Sequence, residues 1–166
     1  MNVQIAKAAR TVVPVLQVWG ARALRPALAL PAGLVGLALG LTGQARPAIR
    51  LQTWASGLPG WTGPRAAART VLGLPLDIAA FVLGAYSVFN TVRNLGYPIW
   101  YGDTDYHQAW GGPTMTGVWL VHAFGWLACL YVIGWILRGL GRGQHAIARR
   151  VAGAGAGAGA GAAAGA

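Results

Sequence analysis

The chain has 166 residues, of which 13 are Lys or Arg and 3 are Asp or Glu, so charged side chains make up only 10% while hydrophobic ones reach 55%. Soluble domains carry about 25% charged residues, and a water-soluble fold built from this composition would lack the polar side chains to cover its surface. Disorder, which needs low hydrophobicity, and a disulfide scaffold, which needs more than the single Cys129, are excluded too. The composition left is that of an all-α integral membrane protein with a strong positive bias.

Residues 1–26 set Val3, Ile5, Val12 and Val13 among Lys7, Arg10, Arg22 and Arg25, with Pro14 interrupting any single helix. They read as a basic amphipathic segment lying on an anionic bilayer surface. The membrane domain is expected over 27–150. Its first apolar run, 27–43, contains Pro31, Gly33, Gly36 and Gly40. At 1.5 Å per residue it covers roughly 25 Å, short of a ~30 Å hydrocarbon core, so it is a thin spanning helix or a re-entrant segment whose flanks stay on one side. Residues 44–69, rich in Gly and Pro and carrying Trp54 and Trp61, read as a loop, with Thr70 as the N-cap of the next helix. The second run, 70–92, holds one charge, Asp77; the third, 114–137, holds none, only His122. Both are long enough to cross, and neither has the alternation of a barrel strand, so two transmembrane helices are expected. The Ala/Gly alternation of 151–166 predicts a low-complexity tail.

Charge placement sets the topology. Arg46, Arg50, Arg65 and Arg69 lie between the first two runs, and Arg138, Arg142, Arg149 and Arg150 follow the third. Asp103 and Asp105 lie in the connector 93–113 beside a single basic residue, Arg93. The positive-inside rule puts that connector outside the cell and the C-terminus in the cytoplasm, in a multi-pass protein of the inner, cytoplasmic membrane. The basic residues flank apolar runs and build no continuous face, which argues against nucleic acid.

Three places carry side chains with chemical potential. His122 lies mid-span with Trp119, Trp126 and Cys129 on its face. It fits a neutral imidazole bonded to a neighbouring helix, a proton-sensitive switch, or an axial ligand to haem or a pigment. Asp77 fits a carboxylate paired with an interfacial arginine such as Arg69 or Arg138, or part of an ion path. The outer loop gathers Tyr97, Trp100, Tyr101, Tyr106 and Trp110 around Asp103, Asp105 and His107. If extended, the chain would aim Asp103, Asp105 and His107 one way, as a divalent cation would need. An aromatic-walled ligand site and an aromatic belt at the outer interface are the other readings of this loop. Neither a metal centre nor a cofactor is expected, and no nucleophile–base pair or phosphate loop suggests an enzyme.

Several short motifs together resemble a sensor-domain family of actinobacterial membrane proteins that precedes histidine kinases. Leu30-Pro31-Ala32-Gly33 and Leu74-Pro75-Leu76-Asp77 look like its helix openings, and Tyr97-Pro98-Ile99-Trp100-Tyr101 like its outer helix end. Gly111-Gly112-Pro113 leading to Gly117 and His122 looks like the start of its last span, and residues 138–150 like its basic exit. The resemblance covers roughly 28–150. This sequence departs from it in showing no clear second helix in its first half and no output domain, and in placing Asp77 where a small residue is usual. The resemblance implies a non-enzymatic sensory or regulatory module acting through a membrane or cytoplasmic protein partner, with a homo-oligomer open. The rival expectation is a structural accessory subunit of a respiratory or transport complex, favoured by the small faces Ala80, Gly84, Ser87 and Gly117, Gly125.

Overall fold

The computed structural model describes residues 25–153. Every regular element among them is a helix: α1 (Arg25–Leu41), α2 (Ala45–Ser56), α3 (Gly63–Leu95), α4 (Tyr97–Tyr101) and α5 (Met115–Gly153). The expected amphipathic segment therefore lies outside the described residues except for Arg25 and Pro26. So does the Ala/Gly tail, except for 151–153, which prolong α5.

The first half is a helical hairpin. Gly43 takes φ +80°, a left-handed conformation open to glycine at no steric cost, and the Gln44 N–H closes back on the Leu39 carbonyl at 2.8 Å. Helix α2 starts at once, with Pro47 in its first turn, where an N–H would have no helical acceptor. The helix ends on Gly57, also left-handed at φ +71°, whose N–H caps the Thr53 carbonyl. The loop expected over 44–69 is thus confined to 57–62. Pro47 opens a helix instead of breaking one, and Arg65-Ala66-Ala67-Ala68-Arg69, all strong helix formers, belong to α3. Thr70 is no cap: its hydroxyl bonds the Ala66 carbonyl inside the helix at 3.0 Å.

Helices α3 and α5, 33 and 39 residues long, extend about 50 and 58 Å. They are the two helices long and apolar enough to cross a membrane. They run antiparallel, as three bonds spaced along them show: Trp119 Nε1 to the Leu95 carbonyl, Trp126 Nε1 to Thr91 Oγ1, and Gln144 Nε2 to Asp77 Oδ1, each at 2.9 Å. Their facing surfaces are unequal. The buried side of α3 is small or polar (Gly73, Asp77, Ala80, Gly84, Ser87), and that of α5 is large (Val118, Trp126, Ile133, Leu137). Large side chains of one helix fill the space left by small ones of the other, with Ala80, Trp126, Ile133 and Leu137 forming one cluster. Outward, the pattern inverts: Phe81, Phe89, Phe124 and Tyr131 are all exposed.

The hairpin packs on the basic end of this pair through its own small residues, Ala27, Ala29, Ala32 and Gly33. The small face of α3 is consequently used within the chain. A Cβ built on Gly84 would stand 2.5 Å from that of Ala27, whereas one on Gly125 meets nothing within 4 Å. Gly84→Ala is expected to lower stability by about 1–3 kcal/mol through overpacking, and Gly125→Ala to leave it unchanged or slightly raised. Thermal unfolding of the two purified variants in one detergent checks this.

Candidate functional site

At the basic end, Asp77 is 1% exposed. Arg69, two turns earlier on α3, grips it with both terminal nitrogens, Nη1 to Oδ2 at 2.5 Å and Nη2 to Oδ1 at 3.1 Å. Gln144 donates from α5 to the same Oδ1 and also to the Pro26 carbonyl of α1 at 3.0 Å. One carboxylate thereby joins three helices. The arginine named first in the sequence is the partner; Arg138 instead stacks over Trp135, 5.8 Å from the ring centroid. Gln144 was not anticipated. Its signal lay in spacing, since Trp126, Ile133, Leu137, Gln144 and Ala148 recur at sevens and fours and carry the inner face of α5 past the apolar run. Beside the pair opens a cavity of about 190 Å³, bordered by Arg25, Pro26, Ser56, Arg69, Gln144 and His145. Buried Arg69 Nε has no hydrogen-bond partner among the described residues. The Arg25 guanidinium bonds the Trp54 carbonyl, which holds the start of α1 against the end of α2.

At the other end stands the aromatic loop. Helix α4 follows α3 after Gly96 and carries Tyr97, Trp100 and Tyr101. Tyr97 stacks on Tyr101 at 4.6 Å and lies 4.5 Å from the His122 ring. Arg93 donates to the Tyr101 hydroxyl at 3.0 Å and lies over its ring. Trp100 Nε1 turns back to the Val92 carbonyl at 3.4 Å. His122 bonds through Nδ1 to the Val118 carbonyl of its own helix at 2.8 Å, not to a neighbouring helix. A carbonyl only accepts, so Nδ1 carries the proton and Nε2 is the ring atom left for a ligand. His122 borders a groove of about 380 Å³ with Asn94, Trp110, Val121, Trp126 and Cys129. Trp110 is 84% exposed at its rim.

The structure brings Trp110 to His122 and links Tyr101 to it through Tyr97, but it does not gather the three polar loop residues. The segment is a run of turns, not a strand, so the alternation of Asp103, Asp105 and His107 does not aim them together. Asp105 and His107 pair with each other, His107 Nδ1 at 2.9 Å and its backbone N–H at 3.1 Å from Oδ1, while Tyr106 stacks on the His107 ring and Asp103 stays apart, exposed. Among the described residues no group of three His, Cys, Asp or Glu could hold a metal ion. No family model, curated protein or solved structure matches the chain.

Asp77→Ala strands a buried guanidinium and is expected to cost about 3–5 kcal/mol, much of it recovered by the apolar pair Arg69→Met with Asp77→Leu; unfolding of the single and paired variants measures both. In the loop, the side-chain bond from His107, then its backbone bond, hold the Asp105 carboxyl below the usual carboxylate range. A depressed pKa means that this contact contributes order above the ordinary carboxylate pKa and loses it as pH falls through the lowered one. In NMR titrations His107→Ala should raise the Asp105 midpoint toward its ordinary value.

Proposed function

We propose that this chain is a non-enzymatic membrane module with a sensory or regulatory role, acting through a partner protein. Its embedding in a membrane is supported by an inverted surface. Only 28% of the most apolar window of α3 and 22% of that of α5 are buried within the chain, where the core helix of a soluble protein would be largely covered. On α3 the large side chains face outward and the small and polar ones inward, as suits a solvent of lipid tails. The asymmetric charge supports a topology with the basic end in the cytoplasm and the aromatic loop outside, at the inner membrane. The residues around the hairpin's turn, Gly40, Leu41 and Ala45, share a groove with Gly63 and Pro64 at the start of α3, which keeps that turn at the basic end.

The observation that carries the sensory reading is the continuity of α5. One unbroken helix borders the outer groove with His122 and Trp126 and ties the inner carboxylate with Gln144. A ligand seated against Trp110 and His122 would bias the position of α5, and Gln144 would report that shift at the basic end, where a partner can read it. The resemblance to the sensor-domain family points the same way. The accessory-subunit reading keeps one feature in its favour: Gly125, Gly134 and Gly139 leave α5 backbone uncrowded within 4 Å, open to another helix. Haem or pigment on His122 Nε2 is the weaker alternative.

Affinity capture from native membranes in mild detergent separates these readings. Co-purification of a kinase or transcriptional regulator, with His122→Ala abolishing its response, is the expected result. Stoichiometric capture of a large respiratory or transport enzyme would replace the sensory reading with the subunit one, and visible absorbance of the purified chain would favour the pigment.

A further inference from the structure

We infer that the cavity beside Arg69 is a binding site for a phosphate oxyanion, presented as an anionic lipid headgroup or as free phosphate. Four helices converge on it, and the charged side chains of its lining are arginines, Arg25 and Arg69, with no carboxylate among them. Arg25 from α1 and His145 from α5 stand exposed at the mouth, and Arg69 from α3 forms the wall within. The cavity's volume of about 190 Å³ suits a small polyatomic anion and falls below the ~300 Å³ at which drug-sized pockets begin.

Charge balance gives the second reason. The sequence holds three side-chain carboxylates, and two of them, Asp103 and Asp105, lie in the aromatic loop at the far end. Asp77 is the one that reaches the basic end, and both of its oxygens are occupied by Arg69 and Gln144. Arg25 therefore has no side-chain carboxylate among the described residues to pair with; only the neutral Trp54 carbonyl accepts from it. The third reason is Arg69 itself. Its two terminal nitrogens are committed to Asp77, while Nε, buried and unpartnered among the described residues, belongs to a side chain that lines the cavity. An oxyanion in the cavity would lie against this guanidinium and neutralise the cationic mouth. Phosphate recognition by arginine in a basic pocket between helices is the chemistry such a group of side chains supplies.

The test uses the full chain purified in a neutral detergent. Inorganic phosphate is titrated against chloride at constant ionic strength, and the melting midpoint is read by intrinsic tryptophan fluorescence. A saturable rise in midpoint is expected, with apparent affinity about tenfold weaker in Arg25→Gln or in His145→Gln. His145→Gln keeps the test intact if Arg25→Gln does not fold, because the ring is exposed and holds no helix in place. Arg69 itself is not substituted, since its loss breaks the ion pair. The titration is repeated in phosphatidylcholine nanodiscs with and without phosphatidylglycerol. If phosphatidylglycerol raises the midpoint and removes the phosphate response, the site takes a headgroup; if the phosphate response is the same in both lipids, it takes the free anion. The proposal is overturned if neither phosphate nor phosphatidylglycerol gives a saturable shift, or if the folded variants respond as the wild type does.

Discussion

Asp77 is the only carboxylate on a helix among the described residues, and the relative positions of α1, α3 and α5 depend on how it is satisfied. Burying a carboxylate and a guanidinium costs several kcal/mol per ion, which their attraction offsets only when geometry is good and the remaining hydrogen-bonding positions are filled. Here the arginine is bidentate, Gln144 adds a third bond, and the second N–H of that amide is used on the Pro26 carbonyl. An apolar replacement of similar volume would be about as stable, so the cluster contributes chiefly to register. Sliding α5 by one turn moves Gln144 about 5.4 Å, beyond reach of Asp77 and Pro26 alike. The packing of Ile133 and Leu137 against small residues tolerates such slips more readily than three directed bonds do.

The same logic accounts for the other end of the pair. For a pair that crosses a bilayer, as proposed, lipid tails are as apolar as leucine, so two helices gain little by hiding large side chains from them. What holds such helices together is close packing and the few polar bonds across the interface. The small face of α3 allows the approach, and the indoles of Trp119 and Trp126 donate to Leu95 and Thr91. Bonds of this kind average about 0.6 kcal/mol each. They are individually weak, but they pin the loop end in the same register that Gln144 sets at the basic end. Trp126 and Gln144 lie about 27 Å apart along α5, and a helix tied at both points transmits displacement along its length instead of absorbing it.

Much of this was legible in the residues and some was not, for identifiable reasons. Helices α3 and α5 announced themselves by long apolar runs, and Arg69 could be named as a partner for Asp77 because few cations lie within reach along the chain. The hairpin was half legible. The shortness of the first apolar run hinted at a return, but α2 was hidden because Pro47 and Gly57 look like breakers, and only their positions, one in a first turn and one just past a last turn, make them helix boundaries. Gln144 was obscured because the hydrophobic run ends before it, although the inner face of α5 continues through it. The geometry of the loop was not legible. Alternation of Asp103, Asp105 and His107 implies a common direction only in extended chain, and Gly102, Gly111 and Gly112 instead fold this segment into turns where Asp105 and His107 satisfy each other.

The two ends of the molecule thus solve the same electrostatic problem differently. At the loop end two of the charged groups find partners nearby: Asp105 has His107, and Arg93 has the hydroxyl and face of Tyr101. Little net charge accumulates there, and the groove beside His122 is walled mainly by aromatic and apolar groups. At the basic end one carboxylate serves one arginine, and Arg46, Arg50, Arg65, Arg142, Arg149 and Arg150 follow with no acid of their own in the sequence nearby. Positive charge in that number resists compaction through self-repulsion unless counter-charge is drawn from the surroundings. The arginine excess that, in the proposed topology, orients the chain across a bilayer therefore also concentrates positive charge around the hairpin, which calls for counter-charge from the surroundings.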